Sequence, residues 1–176
     1  MKRFLISVSV VALVLASAPR AVLAAGEHMA AKPANPAFEM LKSLVGTWSM
    51  KDEKGNVMHV KYELVAGGTT LMESLEPAGE PLMVTMYHPD GANLVMTHYC
   101  DAGNQPRMRA VKPAAGAKTI SFRFLDVANL TSPKEGYMHD LDITLEDADH
   151  MTQVWTWKGP DKTGKETFVW TREAKG

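Results

Sequence analysis

Met96-Thr97-His98-Tyr99-Cys100-Asp101-Ala102-Gly103-Asn104-Gln105-Pro106-Arg107-Met108-Arg109 reads as a β-hairpin, two alternating runs around a short Asp/Gly/Asn turn. The stretch holds the only cysteine of the chain, one of its six histidines and two arginines. The same grammar continues on both sides. Alternating runs fall near 47–52, 57–66, 69–76, 81–88, 93–100, 105–111, 118–125, 138–146, 150–158 and 165–173. Turn chemistry punctuates them: Glu53-Lys54-Gly55-Asn56, Ala66-Gly67-Gly68, Pro77-Ala78-Gly79, Pro89-Asp90-Gly91, Pro113 to Gly116, and Asp161 to Gly164. Short connections make hairpin follow hairpin, so the chain reads as an all-β, up-and-down antiparallel barrel of about ten strands. Closure removes the exposed edges that a long meander leaves. One connection, Asp126 to Tyr137, is long enough to be a lid or binding loop.

Ahead of the strands, Asn35 caps a short helix with Pro36 at its first position, and Gly46 stops it. Phe38, Leu41 and Val45 share one face, which closes one end of the barrel. The domain therefore spans 36–176, after a polar leader over 25–35. Residues 1–24 have a basic start, an apolar run from Phe4 to Ala18 and small residues before Ala25, the pattern of a secretory signal peptide. The run is too short to span a bilayer comfortably, so no membrane anchor is expected after cleavage, and the protein is expected in the periplasm or outside the cell.

Cleavage removes Lys2, Arg3 and Arg20 and no acid, taking the basic count from 19 to 16 against 20 acidic residues. A mildly acidic surface argues against nucleic acid as a partner. Lone Cys100 excludes an intrachain disulfide, so stability rests on packing. The twelve methionines suit a soft, adaptable interior.

Hairpin geometry then sorts faces. A turn at 101–104 sets Cys100 opposite Gln105, His98 opposite Arg107 and Met96 opposite Arg109. The preceding turn places Tyr87 near Leu94, Thr85 near Met96 and Met83 near His98. The following one sets Arg109, Arg107 and Gln105 against Ile120, Phe122 and Phe124. Ile120, Phe122 and Phe124 form a clean apolar face, so His98, Cys100, Gln105 and Arg107 are expected to point inward with them. Leu141, Ile143 and Leu145 pair with Trp155, Gln153 and Met151; Trp155 then faces Phe168 and Gln153 faces Trp170. The 101–104 turn, the long loop, His139 and Trp157 fall at one rim, with Trp48 and Arg172 at the other.

Leu44-Val45-Gly46-Thr47-Trp48, after a short helix and opening a series of short strands, resembles the Gly-x-Trp start of the calycin superfamily. That superfamily includes lipocalins, fatty-acid-binding proteins and nitrobindin-like haem proteins. Arg172 in Val169-Trp170-Thr171-Arg172 resembles the late arginine packing on that tryptophan. The whole domain is also similar to bacterial exported lipocalin-like domains of unknown function. The resemblance implies a cup for a small molecule, with Gly46, Trp48 and Arg172 as structural residues and no cofactor specified.

The function expected is an exported binding protein holding an amphipathic or anionic organic ligand. Arg107 and His98 would take its polar group by charge-assisted hydrogen bonds. Trp155, Phe122, Phe124 and Tyr87 would surround its apolar part, with Cys100, Gln105 and His139 at the mouth. The same residues also fit a buried polar network and a plain core. His59, His88 and His150 read as surface or structural. Two alternatives stay open: a haem- or metal-binding barrel, for which His98, Cys100 and His139 are possible ligands, and a small-molecule hydrolase or isomerase using Cys100 or His98. No Ser-His-Asp pattern, phosphate loop or paired-carboxylate motif favours the enzyme.

Overall fold

The computed structural model describes residues 34–174. The signal reading of 1–24 and the leader up to residue 33 lie outside the described residues. Helix α1 spans Pro36–Lys42. Asn35 adopts extended backbone and its side chain accepts from Phe38 N at 3.1 Å, the N-cap that the sequence announces. Its Nδ2 donates to Asn93 O at 2.9 Å, so the cap also ties the helix to the barrel. Phe38 and Leu41 are buried, whereas Val45 is 39% exposed. The helix ends at Lys42, and the helical spacing that would have placed Val45 inward ends with it.

Ten strands follow: β1 Gly46–Lys51, β2 Val57–Val65, β3 Thr70–Glu76, β4 Met83–Asp90, β5 Asn93–Tyr99, β6 Gln105–Ala110, β7 Thr119–Ala128, β8 Tyr137–Leu145, β9 His150–Lys158 and β10 Thr163–Arg172. Every strand pairs antiparallel with its neighbour in sequence, and β1 pairs with β10 to close the barrel. The expected architecture is the observed one.

At the helix end, Trp48 pairs across the closing seam with Arg172, whose guanidinium lies 4.0 Å from the indole centre. Trp48 Nε1 donates to Leu44 O at 2.8 Å. Arg172 donates to three carbonyls that would otherwise lack partners: Ser43 at 2.7 Å, Val45 at 2.9 Å and Ala148 at 2.8 Å. Gly46 sits at φ +131°, and a Cβ there would come within 3.2 Å of Arg172 Nη1. Gly46, Trp48 and Arg172 thus form one structural plug.

Register decides which side chains face inward, and here expectation and structure part in places. Leu141, Ile143 and Leu145 do pair with Trp155, Gln153 and Met151. On β4–β5, Tyr87 pairs with Met96 and Thr85 with His98, two residues from expectation, so the faces survive. On β9–β10, Trp155 pairs with Glu166 and Gln153 with Phe168, again an even shift.

The β5–β6 hairpin differs by one residue: Thr97, not His98, lies opposite Arg107. Cys100 N donates to Asn104 O, leaving a three-residue loop with Gly103 at φ +83° in place of the four-residue turn expected at 101–104. An odd shift inverts a strand's faces. Pro106 and Met108 therefore point inward, and Arg107 and Arg109 point to solvent. Across β6–β7 the expected pairing of Gln105 with Phe124 and Arg107 with Phe122 is also not formed. With a bulge at Arg107/Met108, Met108 lies against Phe124 and Ala110 against Phe122, a second odd shift that keeps Phe122 facing inward.

Candidate functional site

The interior is mostly filled by apolar side chains at both ends of a polar belt. Tyr62, Glu73, Thr85 and His98 are successive cross-strand partners on β2 to β5, and all four are buried. Gln153 reaches this belt from β9. Its Nε2 donates to the Tyr62 hydroxyl at 2.8 Å and to Glu73 Oε2 at 3.2 Å, while Trp170 Nε1 donates to its Oε1 at 3.0 Å. Tyr87 donates to the same Glu73 oxygen at 2.6 Å. Burial raises the Glu73 carboxyl above its ordinary range, and hydrogen bonds from Tyr87, Tyr62 and Gln153 pull it part of the way back. Glu73 escaped sequence reading, although Leu71-x-Glu73-x-Leu75 places it on the inward parity. A satisfied network of this kind fixes strand register more than it recruits a ligand.

The end of the belt is different. His98 is 3% exposed; its Nδ1 is 2.9 Å from Thr85 Oγ1, and its Nε2 is buried with no hydrogen-bond partner. Trp155 packs on it, ring centres 4.9 Å apart, and Trp155 Nε1 is likewise buried without a partner. Both rings line a cavity of about 80 Å³ at the barrel end opposite the plug. Met58, Leu75, Met83, Met138 and Phe168 supply its apolar wall, with Pro77 beside them and Glu80 and Glu166 as its only charged groups. A crevice of about 140 Å³ adjoins it, sharing Met138, Trp155 and Glu166.

Burial pushes the His98 imidazole down to about 4, so the ring is neutral at neutral pH. With Nδ1 engaged on Thr85, Nε2 is left to accept or donate one bond. Trp155 Nε1–H can only donate. A buried polar atom that no protein group, water or ligand meets costs about 1–3 kcal/mol, and these two nitrogens belong to rings packed on each other.

Of the nine side chains expected to line the cup, His98 and Trp155 do so. Tyr87 and Phe122 lie deeper in the core, ring centres 5.5 Å apart. Arg107 is outside the barrel, paired with Asp126 through Nε at 2.7 Å, as the one-residue register change requires. Gln105 turns back onto Gly103 O at 2.8 Å. Cys100 stands just beyond β5, its Sγ 3.3 Å from Asp101 Oδ1; burial pushes the thiol up to about 11, the wrong direction for a nucleophile.

Phe124 and His139 meet in a seam rather than in the cavity. The β7–β8 ladder stops at Phe122/Leu141, although β7 continues to Ala128 and β8 begins at Tyr137. Into that gap His139 stacks on Phe124 at 4.6 Å, and Tyr137 packs beside both, 5.1 Å from Phe124 and 6.3 Å from His139. Asp140 Oδ2 lies 3.2 Å from His139 Nδ1. The long loop beyond is pinned to the β5–β6 turn by Asn104 Nδ2, which donates to Glu135 Oε1 at 2.8 Å and Gly136 O at 3.1 Å. Among the described residues, no group of three or more His, Cys, Asp or Glu side chains is placed to hold a metal ion, so His98, Cys100 and His139 do not converge.

No known protein family matches the chain, and neither does any curated protein. The chemistry of the mouth cavity is what bears on function.

Proposed function

We propose that this barrel is a small-molecule-binding protein whose site is the His98–Trp155 cavity, acting outside the cytoplasm once residues 1–24 are removed. The observation that carries the reading is a cavity with apolar walls lined by two rings, His98 and Trp155, each of which carries a buried nitrogen with no partner in the protein. A hydroxyl both accepts and donates, so one hydroxyl can take the Trp155 N–H and give its own proton to the neutral His98. The ligand is small. At about 80 Å³ the cavity holds on the order of five water molecules, hence about five non-hydrogen atoms. That volume has no room for a haem or a fatty acid. The resemblance to calycin barrels supports the same reading, with a smaller ligand than most such cups hold.

A thermal-shift screen of short alcohols and related amphipaths tests the proposal, because a ligand bound only by the folded state raises the melting temperature. Trp155→Phe keeps a ring and deletes the N–H, and His98→Leu deletes the acceptor. Each is expected to weaken binding about fivefold or more, the worth of one hydrogen bond. Arg107→Ala, outside the barrel, is expected to leave affinity unchanged. Equal affinity in all three variants would place the ligand elsewhere.

A further inference from the structure

We propose that the ligand carries a positive charge at the end opposite its hydroxyl, a short amino alcohol in chemical class, which extends the binding reading above and rests on it. The two charged side chains on the cavity are both carboxylates, Glu80 from the β3–β4 connection and Glu166 from β10. Glu166 is the cross-strand partner of Trp155, so one strand pair presents the unpartnered indole N–H and an acid to the same space. Among the described residues neither carboxylate makes an ion pair, and no Lys or Arg lines the cavity. The nearest cation in the sequence, Lys165, lines the adjoining crevice instead.

The Glu166 carboxyl is raised first by burial and then by the charge of Glu80. A cation entering between them relieves both effects. The hydroxyl-binding nitrogens and the acids differ in burial: His98 and Trp155 are each 3% exposed, while Glu80 and Glu166 are open to solvent. A ligand therefore enters hydroxyl first and leaves its ammonium at the carboxylates. With about five non-hydrogen atoms available, a three-carbon amino alcohol matches the size of the space.

Three probes of one skeleton decide the matter: 3-aminopropan-1-ol, propan-1-ol and 3-hydroxypropanoate, titrated at fixed low ionic strength while the Trp155 Nε1–H resonance is followed. The amino alcohol is expected to bind about tenfold more tightly than propanol, a solvent-exposed charge attraction of ordinary size. The hydroxy acid is expected to bind most weakly. Raising the salt should shrink the gap between them. In a Glu80→Gln, Glu166→Gln double variant, both exposed positions, the ratio of amino alcohol to propanol affinity should fall to near one. If propanol or the hydroxy acid binds as tightly as the amino alcohol, or if the double variant keeps the preference, the charge assignment is wrong and the hydroxyl site stands. If none of the three moves Trp155, the binding reading is wrong and the charge assignment falls with it.

Discussion

His98 is a buried imidazole held neutral, and that makes it a source of acid instability. Its folded pKa lies near 4 against an ordinary 6.5, so between those values the unfolded chain binds the proton and the folded one does not. The stability of the native state is therefore full at neutral pH and falls as the pH drops from 6.5 to 4, by about 3 kcal/mol. Denaturant melts of the native protein and of His98→Leu across that range should show the loss in the first and a shallower slope in the second. Glu73 acts in the opposite sense: its raised carboxyl costs stability above its folded pKa and relieves that cost as the pH falls. Replacing Glu73 with Leu strands the Tyr87 hydroxyl and one Gln153 donor in the core. It is expected to lower stability by about 2 kcal/mol or more in a chemical melt. At this scale the sequence spoke clearly for His98 and Trp155, whose parity with apolar neighbours is plain. Glu73 shows the same parity between Leu71 and Leu75, but a lone carboxylate on a strand reads as solvent-facing until its buried hydrogen-bond partners are known. Arg107 could not be placed by residue type at all, since only the register decides its side.

Elements carry that register, and the β5–β6 hairpin shows how. Gly103 in left-handed backbone makes a three-residue loop, and one residue fewer in the loop turns Arg107 out and Met108 in. Even-numbered differences at the β4–β5 and β9–β10 turns left every face where alternation put it. The barrel, the helix cap and the sorting of the two rims were thus legible, while the wall chemistry hung on the registers on either side of β6. The long loop was legible in length but not in its anchoring. Trp157 lies so close to the backbone of Gly136 and Gly159 that a Cβ would fall 2.0 Å and 2.3 Å from its ring. Gly136→Ala must push the indole or the loop aside. A red shift of tryptophan emission and a stability loss of about 2 kcal/mol are expected. At the other end, Gly46→Ala adds a Cβ at φ +131° beside Arg172 and is expected to cost about 1–3 kcal/mol in a thermal melt, without altering ligand affinity.

The whole molecule is a closed barrel filled from the plug upward. Trp48, Trp170, Tyr62 and Phe122 are completely or almost completely buried, and four methionines, Met58, Met96, Met108 and Met151, thread the remaining gaps of the core. At the far end, beside the two rings whose nitrogens have no partner, the packing leaves a cavity of about 80 Å³ that adjoins the crevice of about 140 Å³. The central claim is that a small hydroxyl-bearing ligand occupies that space, and the indole N–H groups report on it separately. Those of Trp48 and Trp170 are tied to Leu44 O and Gln153 Oε1, whereas that of Trp155 has no partner in the protein. In a ¹H–¹⁵N spectrum titrated with propan-1-ol, the Trp155 Nε1–H resonance should move in a saturable way while those of Trp48 and Trp170 stay in place. A Trp155 resonance that does not move, or three that drift together without saturating, would contradict the account.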